Sequence, residues 1–260
     1  MNLVETMMED TLYELKEKYG AIGVKAEFET EGLYLEEAYR LKDLAFNAGL
    51  ETTIKIGGCG AVKDLNEIYK LGANNIVAPM IETPYAMKKF IKSVKTVFSD
   101  KELNSINLLI NIETITGIHN FDEIINSAEF ENISGIVLGR NDLTESMGLN
   151  RKDINSKIIL DIACSVSRKL EKINKNLIIG GGVSMTSLYF FKQVPYITAF
   201  ETRKVIFNSE ILMTKNANKG LLKAIDFELM WLKNRKEKYG KATIADKARY
   251  KMLKSIRVES

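Results

Sequence analysis

A short apolar run followed by a longer amphipathic one recurs along most of this chain, and that alternation restricts the fold more than any other feature. The apolar runs are AIGVKAEF (from Ala21), TTIKIGG (from Thr52), NIVAPM (from Asn75), INLLINIE (from Ile106), ISGIVLG (from Ile133), NLIIGGG (from Asn176) and ITAFETRKVIF (from Ile197). They are short, rich in Ile, Val and Leu, and closely followed by turn-forming residues, as strands covered on both faces are. Between them lie helical stretches such as LEEAYRLKDLAFNAG, where Leu35, Ala38, Leu41, Leu44, Ala45 and Ala48 share one face. Strands alternating with helices imply right-handed crossovers and a parallel sheet, either closed into a barrel or open and doubly wound.

Polar residues or glycines stand at the C-terminal end of nearly every run: Glu27 and Glu29, Lys55 with Gly57 and Gly58, Glu113, Asp142, Gly180 to Gly182, then Glu201 and Arg203. An open sheet places its site at one switch point, whereas a barrel draws on the ends of many strands. The expected fold is therefore α/β, a (β/α)8 TIM-like barrel spanning residues 1–210 as a single domain. Only seven runs are found, and the chain opens with a helix. Either the first strand is atypical or missing, or the barrel is completed in another way. Residues 211–260 read as a C-terminal helical extension whose basic last stretch is either a solvated helix or an arm packing on a neighbouring subunit.

Composition narrows the function classes. The 37 basic and 34 acidic residues nearly balance, which gives no electrostatic footprint for nucleic acid. Two cysteines, Cys59 and Cys164, suit a reducing compartment rather than a disulfide scaffold. No apolar run approaches the roughly 20 residues of a membrane helix, and the N-terminal stretch is an acidic amphipathic helix rather than a signal peptide. A cytoplasmic protein with no membrane partner is the expectation.

Glu113 ends an apolar run, and Asp142 follows ISGIVLG in the turn Arg140-Asn141-Asp142-Leu143. If the two runs are neighbouring strands of one barrel, both carboxylates emerge on one rim within reach of one ion. Two carboxylates plus waters and a substrate oxygen suit Mg²⁺ or Mn²⁺, which can polarise a 2-oxo carbonyl as a Lewis acid. The alternative is structural: Glu113 caps a helix and Asp142 closes a turn.

From Ile54 to Leu149 the chain resembles the family that joins metal-dependent pyruvate aldolases of the HpcH/HpaI type to the citrate lyase β-chain. The resemblance is carried by IVAPMIETPYAM (from Ile76), INIETITGIHN (from Ile110) and GIVLGRNDLTESMG (from Gly135). It implies that Glu113 and Asp142 bind the metal, and that the protein is a lyase acting through the enolate of pyruvate or a related 2-oxo acid. It also implies a homo-oligomer. Two departures stand out. Lys55 replaces the family's arginine, losing its planar fork for a carboxylate. Thr30 stands where the aldolase branch has its basic histidine, and the only histidine, His119, lies elsewhere in a turn. Glu27 and Glu29, which match a D-x-E pattern of citrate lyase-like members, are the candidates for the proton, since crowded carboxylates raise a pKa. Pairing of one of them with Lys25 or Lys55 is the structural alternative. Lys55 also admits a Schiff base with a carbonyl substrate.

Lys55, Arg140, Gly181 and Arg203 are the candidates for gripping the substrate anion. Gly181 belongs to the NLIIGGGVS stretch, which runs into a helix capped by Ser184, and a glycine loop at a late barrel strand can cradle phosphate. Arg203 shares parity with Glu201 and would complete such a site, or pair with Glu201 instead. A thioester lyase, a transferase on phosphoenolpyruvate-like substrates and a non-catalytic binding barrel are the alternative functions.

Overall fold

A computed structural model describes residues 2–28, 30–240 and 242–258. Eight strands form one closed barrel in sequence order: β1 (Ala21–Glu27), β2 (Glu51–Lys55), β3 (Asn75–Ala78), β4 (Asn107–Ile112), β5 (Gly135–Gly139), β6 (Asn176–Gly180), β7 (Ala199–Glu201) and β8 (Val205–Asn208). β1 to β7 run parallel, each joined to the next through helix or helical turn.

The eighth strand lies inside the run ITAFETRKVIF, which is two strands and not one. The chain reverses at residues 202–204, and β8 pairs antiparallel with both β7 and β1. Thr202 holds that reversal, its hydroxyl accepting from the Val205 N–H (3.0 Å) and donating to the Val205 carbonyl (3.1 Å). No strand is missing from the N-terminus. Because β8 runs downward, the β7–β8 turn sits on the rim beside the C-terminal ends of the other strands.

Helices shield the outside of the strands. Before β1 comes α1 (Leu3–Tyr19), and α2 (Leu35–Asn47), α3 (Val62–Leu71) and α4 (Pro84–Val97) follow β1, β2 and β3, with the short α5 (Asp100–Leu103) before β4. α6 (Ile115–His119) and α7 (Phe121–Ile125) follow β4, then α8 (Arg140–Ser146) and α9 (Lys157–Lys172) follow β5, and α10 (Met185–Phe191) follows β6. The chain ends with α11 (Ala217–Tyr239) and α12 (Ile244–Val258). α11 packs against α1 and α12 folds back on α11. No helix of the described residues is long and apolar enough to cross a membrane.

The two-residue period of a strand sorts its side chains into two cores. Outward residues join the helices in one large hydrophobic shell. Inward, Val77, Leu109, Val137, Ile178, Ala199 and Ile206 form a separate apolar plug that fills the barrel. Two residues further along four of these strands the inward positions turn polar or bare: Asn111 above Leu109, Gly139 above Val137, Gly180 above Ile178 and Glu201 above Ala199. The plug is a floor, and the functional residues stand on it.

Candidate active site

Glu113 follows β4 as the next inward position after Asn111. It is 2% exposed, yet every donor around it is fixed. The Asn111 amide donates to Oε2 at 2.7 Å and the Met80 N–H donates to Oε1 at 3.1 Å. The Lys55 ammonium lies 3.3 Å from both oxygens. Met80 reaches Glu113 in the left-handed region, with φ of 46°, a conformation that costs a non-glycine residue on the order of 1–3 kcal/mol and persists where surroundings hold it.

Asp142 enters from the first turn of α8 and lies within hydrogen-bonding reach of the Glu113 carboxyl. Burial, then the charge of Glu113, raise its pKa from 3.8 to about 6, against the opposing pull of Lys55. The two carboxylates on neighbouring β-ends are thus forced into each other's field, as the sequence spacing implied.

The glycines of β5 and β6 make this convergence possible. Gly139 and Gly180 are register partners. A Cβ on Gly139 would stand 2.7 Å from the Glu113 Cβ and Oε2, and one on Gly180 would stand 2.9 Å from Glu201 Oε1. Glu113 from one side and Glu201 from the other therefore lean over a wall that carries no side chains.

Lys25 and Glu201 form the third part of the site. Lys25 is buried and pairs with Glu201 and, at 3.2 Å, with Glu27. Burial opposes its charge, but the two carboxylates raise its pKa further above the usual lysine value. Glu27 is held low for the matching reason. Burial alone would raise it, but Lys25 and Lys55 together with a hydrogen bond from Thr30 bring it down to about 2. Crowding of carboxylates was expected to make Glu27 a proton acceptor near neutrality. The lysines reverse that, and a group at about 2 is a weak base at pH 7. Its structural alternative, the buried ion pair, is what the chain adopts. Glu29 lies outside the described residues.

Three of the anion-binding candidates have protein partners of their own. Arg140 is fully buried and points away from the rim, its guanidinium packed 4.8 Å from the Phe190 and Phe191 rings. Its N–H groups are spent on the Gly180 carbonyl (3.1 Å), the Gly181 carbonyl (2.8 Å), Asn155 (2.6 Å) and Ser187. The Gly181 carbonyl accordingly accepts from Arg140. Gly181 has φ of +80°, and a Cβ there would meet the Asn141 nitrogen at 2.6 Å. Arg203 sits in the β7–β8 turn and pairs at 3.0 Å with Glu31, which also holds Lys204, so neither Glu201 nor the glycine loop is its partner. His119 is exposed at the end of α6, and Cys59 is a free, half-buried thiol.

Lys55, Glu113 and Asp142 are thus brought together, with Glu27 at the edge of the group. Asn111 was not singled out from the sequence, and Lys25 was named there only as a partner for Glu27 or Glu29. The signal existed, because each lies two residues before a chosen carboxylate on the same strand and so faces the same way. Glu201 was visible as a strand-end carboxylate, but its partner was not.

The chain matches the HpcH/HpaI aldolase/citrate lyase family over residues 32–175. Among solved structures it resembles an HpcH/HpaI aldolase from Desulfitobacterium hafniense DCB-2, with 12% identity and a TM-score of 0.59 over 78% of this chain and 84% of that one. An HpcH/HpaI aldolase/citrate lyase family protein from Burkholderia cenocepacia J2315 superposes with a TM-score of 0.60 at 12% identity, over 87% and 92% of the two chains. The citrate synthase SbnG gives a TM-score of 0.56 at 15% identity, over 74% and 80%. At such identities these structures speak for the fold alone. Among curated proteins, none matches the chain significantly. The family match covers more than half the chain and includes the strand ends that carry Lys55, Glu113 and Asp142, so the chain belongs to the HpcH/HpaI aldolase/citrate lyase family of lyases.

Proposed function

We propose that this protein is a divalent-metal-dependent carbon–carbon lyase of the aldolase type, acting through the enolate of pyruvate or a related 2-oxo acid. The observation that carries the reading is the pressing together of Glu113 and Asp142, with Asp142 raised to about 6. Two abutting carboxylates are costly unless a cation compensates them. Around them the described inward side chains comprise four carboxylates, Glu27, Glu113, Asp142 and Glu201, against two lysines, Lys25 and Lys55.

The donor set agrees. Among the described residues no cluster of three or more Asp, Glu, His or Cys side chains has the form of a metal cage. Mg²⁺ seldom uses such a cage and keeps several waters. Asn111 Oδ1 and Glu201 Oε2 are buried without a protein partner, and they are acceptors that ordered water can satisfy. Glu113 and Asp142 would hold the ion. When bound, it would polarise the substrate's oxo group as a Lewis acid.

The chain's own residues supply the rest. Lys55 places a cation at the mouth, where it can neutralise the substrate carboxylate as a point charge. Asn111 and the Met80 N–H fix the Glu113 oxygens so that no reorganisation is needed when substrate arrives. Lys25 helps keep Glu27 ionised inside the barrel and pairs with Glu201 beside it.

Isothermal titration with Mg²⁺ or Mn²⁺, with and without oxalate, on wild type and Asp142→Ala tests the proposal. Oxalate binding that requires metal and vanishes in the variant is expected. Binding of neither metal nor oxalate by the wild type sinks it. If pyruvate were instead trapped on Lys55 by borohydride without metal, a Schiff-base lyase would replace the metal-dependent one.

A further inference from the structure

We infer that the substrate carries an apolar chain, and that this chain is received by a cavity between α10, α11 and α12; the inference rests on the lyase reading above and names its substrate class. The cavity has a volume of about 190 Å³ and is walled by aliphatic side chains, among them Ile154, Val183, Met185, Leu221, Ala224 and Leu253. Its charged lining residues are Arg151, Glu228 and Arg249. Arg249 grips Glu228 through two bonds of 2.7 and 2.9 Å, so that pair is neutralised within the wall, and Arg151 is exposed. A second anionic group on the ligand therefore finds no enclosed cation waiting for it, whereas a hydrocarbon finds a continuous lining.

Two lining residues place the cavity next to chain neighbours of the candidate active site. Gly182 is one of its walls, and a Cβ there would stand 3.0 Å from the Asn141 side chain, the neighbour of Asp142. Thr202 is another, and it follows Glu201. A ligand with its oxo-acid head at Glu113 and Asp142 thus has an apolar compartment one residue away. Size limits what enters. An apolar cavity of about 150 Å³ holds benzene, so this one accommodates a chain of about five to seven carbons.

The cover over the cavity is α12, which contributes Met252, Leu253 and Ile256. Among the described hydrophobic side chains of α12, only Leu253 is buried in the core. Ion pairs hold the rest of the helix, Arg249 to Glu228 and Arg257 to Asp226 at 2.8 Å.

The test is isothermal titration of the full chain, with Mg²⁺, against oxalate and a straight-chain series from pyruvate to 2-oxooctanoate. Wild type is compared with Ala224→Leu, which fills the cavity from α11, and Met252→Trp, which fills it from the cover. Affinity is expected to rise about three- to fourfold per added methylene, as burial of each group predicts, and to level off once the cavity is full. Both fillings are expected to remove the gain while leaving oxalate binding unchanged. A flat series in a wild type that binds oxalate overturns the apolar-chain inference and leaves the lyase reading intact. A gain that persists in both filled variants overturns the location and with it the inference. Absence of oxalate binding overturns both readings together.

Discussion

At the scale of single residues the site is defined by repulsion and its compensation. The Asp142 carboxyl is raised from 3.8 to about 6 by burial and by Glu113. A carboxyl whose folded-state pKa is raised stabilises the fold fully below its unfolded value, and that contribution is lost as pH climbs through the folded one. The metal-free protein is therefore expected to lose stability between about pH 4 and pH 6, and Asp142→Asn to raise its melting temperature at pH 7 by removing the repulsion. The same variant should abolish the upward shift produced by Mg²⁺. In the wild type that shift should be large at pH 7.5 and shrink below pH 6, where a proton competes for Asp142. Thermal scans at several pH values, with metal and with chelator, check all four. A variant less stable than wild type in chelator would contradict the account.

At the scale of elements, neighbouring strands act on each other through what they lack. Gly139 of β5 leaves room for Glu113 after β4, and Gly180 of β6 leaves room for Glu201 of β7. Gly139→Ala is expected to push Glu113 at its Cβ, which cannot swing aside as a flexible tip would, and to weaken Mg²⁺ binding by tenfold or more. Overpacking of this kind costs about 1–3 kcal/mol, measurable by urea unfolding. Metal affinity unchanged in the alanine variant would show that the close approach has no functional consequence. The same scale explains Arg140. Residues near a rim loop look like anion binders in sequence, but the aromatic pair of α10 and the carbonyls after β6 draw this guanidinium inside, where it ties β5 to β6.

At the scale of the whole molecule the C-terminal helices tie the barrel together at a distance. Arg235 of α11 is buried and pairs with Glu37 of α2 (2.7 Å) and with Asp246 of α12 (3.3 Å), while also donating to the Gly32 carbonyl (2.9 Å). Removing one member of a buried ionic group leaves the others uncompensated, at a cost of about 3–5 kcal/mol. Arg235→Met is accordingly expected to lower stability by that order in urea unfolding while Mg²⁺ affinity stays within a few-fold of wild type. A variant as stable as wild type would show that the three-helix junction is held by packing alone.

The barrel was legible in the sequence because strand and helix periods are local properties, written in which residues recur every two or every three to four positions. The carboxylates Glu113 and Asp142 were legible for the same reason, since each closes an apolar run at a rim. Three things were decided only by tertiary structure. The split of ITAFETRKVIF into β7 and β8 depends on ring closure: the polar step Glu201-Thr202-Arg203-Lys204 is visible in the sequence, but it becomes a reversal because the barrel requires an eighth strand between β7 and β1. The fates of Arg140 and Arg203 depend on partners distant in sequence, up to 47 residues away in one case and 172 in the other. The low pKa of Glu27 depends on Lys25 and Lys55 meeting it inside the barrel. Residue type and spacing determine which groups reach the rim, whereas their charge state and their partners are set by which strands lie side by side.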